Sequence, residues 1–179
     1  MPYLTKDIVD RVVQSRAINL RESKSNTRNR IFLSHSHLDE DTVRKIVWIL
    51  GSQGVDVYVD WLDDSMPGKT SAETARILKE KIAEYPRFLL LSTVNSAKSS
   101  WVPWELGVAD ELKGTTRIAI IPLCGGIYGD GSWAGREYFG LYPKVEQASA
   151  GVSAFSNPTL QISFPSGGTI SFRQWLTDN

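Results

Sequence analysis

The segment WVPWE at residues 101–105 carries the side chains with the most specific chemistry in this sequence. Trp101 lies four residues before Glu105, so a helix would place both side chains on one face. An aromatic wall beside one carboxylate suits a nucleoside sugar whose anomeric carbon becomes cationic, because the carboxylate stabilises the developing charge. A purely structural role stays open, since the helix dipole alone favours a carboxylate near a helix start. A capping box does not explain Glu105, because the cap position before Pro103 would fall on Val102.

A second polar segment, SHSH at residues 34–37, directly follows the short apolar run at 31–33. His35 and His37 occupy alternate positions and would point to the same side of an extended chain, so a metal site is conceivable. Its remaining ligands would have to come from the acidic residues 39–41. In a simpler alternative, the serines or Asp39 only organise the turn and cap the next helix. We favour a third interpretation, in which Ser34 and His35 line a ligand pocket that contains no metal.

The acidic loop DWLDDSMPGKT at residues 60–70 is a third candidate, because Trp61 adds an aromatic ring to it. Pro67 and Gly68 mark a turn within this loop. A solvated surface loop is the simplest interpretation, and a mobile lid or an assembly contact is the alternative. We include Trp61 among the candidate substrate-binding residues.

Hydrophobic patterns predict the elements that hold these segments. Short apolar runs predict strands at 31–33, 55–59, 87–91 and 118–121, and a weaker run predicts a fifth at 159–164. Helical spacing predicts helices at 39–51, 71–84 and 103–113, and a last short helix at 170–176. This alternation is typical of an α/β fold, which we expect to be a flavodoxin-like, doubly wound sheet of about five parallel strands with helices on both faces.

The predicted topology places the candidate residues at one edge of the sheet. Ligands of doubly wound sheets bind outside the carboxyl ends of the strands. The SHSH segment, Asp60-Trp61, Ser92-Thr93 and the loop before Trp101 all follow predicted strands, so we expect them to converge. Ser92 stands where a receiver domain would carry an aspartate, which argues against phosphoryl relay. The sequence also contains no GxGxxG, P-loop or GxSxG motif.

The chain is predicted to consist of an N-terminal part at residues 1–29 and a main domain at residues 30–179. Ile8, Val9 and Val12 lie at helical spacing and predict a helix over residues 3–20, and the polar residues 21–29 predict a linker. This helix either packs on the main domain or serves as a partner-binding or regulatory arm.

Composition limits the cellular setting and the partners. Acidic and basic residues balance at 20 each, so no net field attracts nucleic acid or an anionic membrane. A local basic patch is possible around Arg21, Lys24, Arg28 and Arg30. The single Cys124 allows no internal disulfide and no thiolate metal cage. Because the sequence shows no signal peptide and no apolar run long enough to cross a membrane, it predicts a cytoplasmic protein.

Four segments of the sequence resemble those of TIR domains, in the same order. FLSHSHLD resembles the first strand and its following loop, and VYVDW with the later Pro67-Gly68 resembles the second strand and the BB loop. SSWVPWELG resembles the W-x-x-x-E motif of the family, with Trp101 and Glu105 in place. GREYFGLYPKV resembles a later segment of small bacterial TIR proteins. The resemblance covers roughly residues 30–145 and implies the TIR fold.

The resemblance implies an NAD⁺ nucleosidase that cleaves the nicotinamide–ribose bond. It assigns Glu105 as the catalytic residue, Trp101 to the nicotinamide side of the pocket, and Ser34 and His35 to the pocket wall. The BB loop at about 61–69, which includes Trp61, would govern assembly and access. NAD⁺ is then the substrate, and no cofactor or metal is expected. Plant TIR domains commonly have a cysteine where Val102 stands here, and the mechanism does not need that thiol.

The resemblance also implies products and partners. Attack by water would give ADP-ribose, and attack by a group of the same molecule would give a cyclic ADP-ribose isomer. Small bacterial TIR proteins of this kind are associated with anti-phage defence, in which a nucleotide signal activates an effector protein. Self-association through TIR surfaces is expected. The main alternative is a non-enzymatic module that only binds other TIR domains, and a further one is an enzyme that acts on another nucleotide or on nucleic acid.

Overall fold

The structure is a computed structural model that describes residues 3–14, 29–63, 66–67, 71–123, 137–148 and 158–178. Its helices are α1 (Lys6–Gln14), α2 (Glu40–Ser52), α3 (Ala72–Glu84), α4 (Val94–Lys98), α5 (Trp101–Lys113) and α6 (Phe172–Thr177). Its strands are β1 (Arg30–Ser34), β2 (Asp56–Tyr58), β3 (Arg87–Ser92), β4 (Ile118–Pro122), β5 (Lys144–Gln147), β6 (Leu160–Ser163) and β7 (Thr169–Ser171). Within these ranges, no helix is both long and apolar enough to cross a membrane.

The strands of the described ranges form one sheet in the order β2-β1-β3-β4-β5-β6-β7. The first four pairs in this order are parallel, which confirms the predicted α/β sheet with its five parallel strands. The last two pairs are antiparallel. The strand predicted at 159–164 therefore exists as β6, but the expectation that it continues the parallel sheet was wrong.

The fifth parallel strand is β5, which the hydrophobic pattern did not reveal. Val145 is its one fully buried side chain, and it lies between polar neighbours, so β5 contains no apolar run. The connection from β6 to β7 is too short for a parallel crossover, and Gly167 and Gly168 turn the chain there with φ angles of 93° and 86°. These two strands are therefore neighbours in a hairpin. Because β7 extends to Ser171, the last helix, predicted at 170–176, begins only at Phe172 as α6.

The central strands alternate their side chains between two hydrophobic cores, one on each face of the sheet. In β3, Leu89 and Leu91 belong to the core under α2 and α6, whereas Phe88 and Leu90 belong to the core under α3 and α5. All the residues of β3 are buried, as expected for a strand that is covered on both faces. The predicted helices on both faces are thus confirmed.

Helix α1 packs against α2 on the first of these faces. Leu4 and Val9 are buried in the core that α2 covers, and Lys45 of α2 forms an ion pair with Asp10 at 2.9 Å. The rest of the predicted helix, and residues 21–28 of the predicted basic patch, lie outside the described residues. The division of the chain between residues 29 and 30 stays a prediction.

Two local details near the carboxyl edge differ from expectation. Helix α5 begins at Trp101, so Pro103 lies in its first turn as predicted but is not its first residue, as the argument about the cap assumed. Ser99 Oγ, one residue before the N-cap Ser100, accepts hydrogen bonds from the backbone N–H groups of Trp101 and Val102 at 3.2 and 3.4 Å and so satisfies the first two N–H groups of the helix. The segment before α5 was expected to be a loop, but it contains α4, which begins with a reciprocal cap at Thr93.

Candidate active site

Side chains from three elements meet at the carboxyl edge of the sheet. Ser34 is the last residue of β1, Asp60 begins the 3₁₀ turn that follows β2, and Glu105 lies in the second turn of α5. β1 pairs with β2 on one side and with β3 on the other, so the segment after β1 lies between the segments that follow β2 and β3. The predicted convergence of the polar segments at this edge is confirmed for these residues.

The Glu105 carboxyl is buried and is held by a hydroxyl group from β1. Ser34 Oγ donates a hydrogen bond to Glu105 Oε2 at 2.5 Å. Glu105 is only 5% exposed, and Ser34 only 1%. An ionisable side chain in the interior of an apolar helix face costs free energy, so its presence indicates a functional role more strongly than a structural one.

Burial raises the pKa of Glu105 from 4.5 to about 8. The hydrogen bond from Ser34 opposes this shift, because it stabilises the charged form, and the negative charge of Asp60 adds to it. The carboxyl group is therefore protonated in the free protein at neutral pH. A positive charge brought into the site would favour its ionisation.

Trp101 is placed as the spacing predicted, on the same face of α5 as Glu105. It is half-buried and packs against the core under α3 and α5. Its ring meets that of Trp104 edge to face, with centroids 5.1 Å apart. Trp101 thus forms a fixed aromatic surface one helical turn before the buried carboxyl.

His35 connects β1 with the turn after β2. Its Nδ1 donates a hydrogen bond to the carbonyl oxygen of Leu33 at 2.9 Å, and its Nε2 lies 3.4 Å from Asp60 Oδ1. The side chain of His35 is 3% exposed, and its ring meets the ring of Trp61 edge to face at 4.6 Å. His35 is thus fixed in orientation by its neighbours.

Trp61 belongs to the same cluster and is not part of a solvated surface. Its side chain is half-buried, and the Arg44 guanidinium lies 5.9 Å from its ring centroid. No acceptor within the described ranges reaches the buried Trp61 Nε1. Residues 64–65 and 68–70 of this loop are outside the description, so the lid and assembly interpretations stay predictions.

The structure separates His37 from His35. His37 is exposed in the 3₁₀ turn His37–Asp39, where Ser36 Oγ accepts the Leu38 N–H at 3.4 Å, so the capping role considered for a serine is confirmed. In the part of the chain that the structure describes, no three histidine, cysteine or acidic side chains are grouped to hold a metal ion.

Asp39 links the segment after β1 to the segment after β3, and it does not cap α2 with its side chain. Its carboxylate accepts hydrogen bonds from Thr93 Oγ1 at 2.5 Å and from Asn95 Nδ2 at 2.6 Å. Sequence reasoning named Asp39 as a cap or a possible metal ligand, and it placed Asp60 in the acidic loop that was expected at this edge. It did not predict the contacts of either carboxylate.

A separate groove of about 650 Å³ lies between α3 and α5. Ala83, Trp104, Val108 and Leu112 give it an apolar lining, and Lys79 lies 5.8 Å from the Trp104 ring. None of the carboxyl-edge residues described above lines this groove, so it is distinct from the cluster around Glu105.

Comparison with known proteins places these features in a family. Residues 31–151 match the TIR domain family. The chain is 36% identical over 151 residues to a protein of Bacillus cereus (strain MSX-D12) named "Probable 3′ cyclic ADP-D-ribose synthase ThsB′", with 83% of this chain and 76% of the relative covered. It is 31% identical over 99 residues to "Putative cyclic ADP-D-ribose synthase TIR2" of Cytobacillus dafuensis, with 51% of this chain and 26% of that protein covered.

The matched range contains the parallel strands except for Arg30 of β1, and it contains the buried carboxyl on α5. The resemblance inferred from the four sequence segments is therefore confirmed, and the chain belongs to the TIR domain family.

Proposed function

We propose that this protein is an NAD⁺-consuming enzyme that releases nicotinamide and forms a cyclic ADP-ribose, with Glu105 as its catalytic residue. The observation that carries this proposal is the buried Glu105 carboxyl, held by Ser34 at the ligand-binding edge of the sheet. Trp101, His35 and Trp61 surround this edge, and we propose that they bind the substrate together with Ser34.

The reaction suits a single buried carboxyl group. Nicotinamide leaves as a neutral ring, and the transition state at the anomeric carbon resembles an oxocarbenium ion. The cationic nicotinamide–ribose would favour ionised Glu105, which then accepts hydrogen bonds from the ribose and stabilises the developing charge. A placed electrostatic group of this kind contributes about 10²–10³ in rate. Because the pKa of Glu105 in the free protein is about 8, kcat/KM should rise with pH through that region.

The names of the two relatives favour a cyclic product over a linear one. A cyclic ADP-ribose forms when a hydroxyl group of the dinucleotide replaces nicotinamide, whereas water in the same position gives ADP-ribose. A site that excludes water favours the first outcome, and the low exposure of Ser34, His35 and Glu105 fits that requirement. We propose that the product is the signal of a defence response and reaches an effector protein. The cytoplasmic location stays a prediction.

Association with other TIR domains is the second candidate function, and the groove between α3 and α5 favours it. The groove is apolar, and Leu112 at its edge is 51% exposed. Exposed apolar patches of this kind often bind other proteins. We propose that self-association accompanies catalysis, since a contact on this face would leave the carboxyl edge open.

The test is nicotinamide release from NAD⁺ by concentrated protein, with the products separated by chromatography. Glu105→Gln keeps the shape of the side chain and an oxygen acceptor for Ser34, but it cannot carry the negative charge. It should lower nicotinamide release by about 100-fold or more. Glu84→Gln is the matched control, because Glu84 is exposed and pairs with Arg30 at the amino-terminal end of β1, away from the carboxyl edge.

Loss of activity in Glu105→Gln alone, with a cyclic product from the wild type, would support the proposal. A wild-type protein that self-associates but releases no nicotinamide at any concentration would favour the interaction module. Equal activity of wild type and Glu105→Gln would refute the assignment of the catalytic residue.

A further inference from the structure

We propose that Asp60 is a second catalytic carboxylate of this site, which accepts the proton that the attacking hydroxyl group loses when it bonds to the anomeric carbon. This inference rests on the proposed function and extends it, because it assigns the proton acceptor of the bond-forming step.

Asp60 lies at the right edge of the sheet, next to the residues that hold Glu105. It follows β2, and its Oδ1 lies 3.4 Å from Nε2 of His35. His35 directly follows Ser34, the hydrogen-bond donor to Glu105. The two carboxyl groups therefore flank the same pair of residues at the end of β1, with Glu105 on one side and Asp60 on the other.

The two carboxyl groups differ in their access to water. Glu105 is 5% exposed, whereas the side chain of Asp60 is 40% exposed. A proton taken up by the buried group has no direct path to solvent, but a proton taken up by Asp60 can be passed to water at once. Asp60 is also fixed in place, since its Oδ1 accepts the backbone N–H of Trp61 at 2.9 Å.

The charged and titratable groups around Asp60 come from three elements and from the segment after β1. They are His35 directly after β1, Tyr58 from β2, Glu105 from α5 and, across the Trp61 ring, Arg44 from α2. Burial is the main cause of the raised pKa of Glu105, and the negative charge of Asp60 adds to it. The negative charge of Asp60 thus acts on Glu105, so the two carboxyl groups belong to one site at the end of β1.

The step balances with Asp60 as the acceptor. The bond between the anomeric carbon and the nicotinamide nitrogen breaks, and its electron pair leaves with nicotinamide. A hydroxyl oxygen of the same dinucleotide forms the new bond to that carbon. The hydroxyl proton passes to Asp60 and then to water, so the reaction releases a proton in each turnover. Glu105 stabilises the cationic carbon throughout and has the same charge at the start and at the end.

The experiment compares kcat/KM for nicotinamide release in wild type, Asp60→Asn and Asp56→Asn. Asparagine keeps an oxygen acceptor for the Trp61 N–H but cannot take up the proton. Asp56→Asn is the matched control, because Asp56 lies at the opposite end of β2, 3.8 Å from Arg30, with a side chain that is 33% exposed. We expect Asp60→Asn to lose about 100-fold or more in kcat/KM, and the control to stay within about twofold of wild type.

Two further readouts distinguish proton transfer from a positioning role. Removing the charge of Asp60 lowers the pKa of Glu105, so the rise of kcat/KM with pH should move to lower pH in Asp60→Asn. Formate should restore part of the activity of Asp60→Gly, because it replaces the missing carboxylate, and it should not affect wild type.

Each outcome has a distinct meaning. A shift of the pH profile without a loss of maximal rate would overturn the proposal, because Asp60 would then only tune Glu105. A loss that formate does not restore, and that is equal at every pH, would also overturn it and would leave Asp60 as a support for His35. If wild type itself releases no nicotinamide, the proposed function fails, and the role of Asp60 fails with it.

Discussion

The buried Glu105 should make the protein less stable as the pH rises, and Glu105→Gln should remove this loss. The folded protein holds the proton of Glu105 up to about pH 8, whereas the unfolded chain releases it near pH 4.5. Between these values the folded state binds more protons than the unfolded state, so the free energy of unfolding falls with rising pH. Glutamine carries no proton to lose and is therefore not subject to this penalty.

The magnitude follows from the pKa shift. Each unit of difference between the folded and unfolded pKa corresponds to about 1.4 kcal/mol. The penalty from Glu105 grows from about 1 kcal/mol at about pH 5 to about 5 kcal/mol at about pH 9. A domain of this size shifts its Tm by about 2–4 °C per kcal/mol, so the variant should melt on the order of 10 °C above wild type at the higher pH.

Urea unfolding followed by tryptophan fluorescence measures this effect, since the chain has 6 tryptophans. Wild type and Glu105→Gln are compared at the same pH, so that changes common to both proteins cancel. Glu84→Gln is the control, and it should differ from wild type by the same small amount at both pH values, because Glu84 is exposed. If the difference between wild type and Glu105→Gln does not change with pH, the carboxyl is not desolvated in solution, and the argument for its raised pKa is refuted.

Two further perturbations test neighbouring parts of the structure. Ser34→Ala removes the hydrogen bond that stabilises ionised Glu105, so the pKa of Glu105 should rise above about 8. Nicotinamide release at neutral pH should then fall about tenfold. An unchanged pH profile of activity would show that the hydroxyl group has no influence on the carboxyl group. Burial, with smaller contributions from the charges of Arg117 and Arg87, lowers the pKa of Lys113 from 10.5 to about 8. The unfolded chain therefore binds more protons than the folded state between these values, and the stability of wild type relative to Lys113→Met should increase from pH 8 to 10.5. Urea midpoints of the two proteins across this range measure the effect, and a constant difference would contradict it.

The sequence was sufficient to predict those elements whose structure is determined by a local pattern of residues. β1, β3 and β4 are continuous apolar runs that are buried on both faces, and Glu105 follows Trp101 at helical spacing. It was insufficient where pairing decides the outcome. β5 buries only Val145 and becomes a strand because β4 and β6 flank it, which no periodicity within residues 144–147 reveals.

For the site, too, the sequence predicted the local features but not the contacts between distant segments. Its residue types and its edge of the sheet could be predicted, because the carboxyl ends of parallel strands converge. The contact between His35 and Asp60 could not, since it depends on how the turn after β2 folds back over β1. Likewise, Asp39 is of a residue type that commonly caps helices, so the sequence suggested that role. Only the arrangement of β1 beside β3 brings Thr93 and Asn95 within hydrogen-bonding distance of its carboxylate.

The bridge formed by Asp39 has a consequence for the timing of ligand binding. It ties the segment after β1 to the start of α4, so these two sides of the ligand edge must move together. The two segments are therefore already positioned relative to each other before a ligand binds. Less binding free energy is needed to order them, and more is available to distort the glycosidic bond of the ligand. Any slow opening step that limits turnover should arise on the β2 side. Hydrogen exchange at Thr93 and Ser96, whose backbone N–H groups are bonded in the reciprocal cap, should be equally slow with and without a bound ligand.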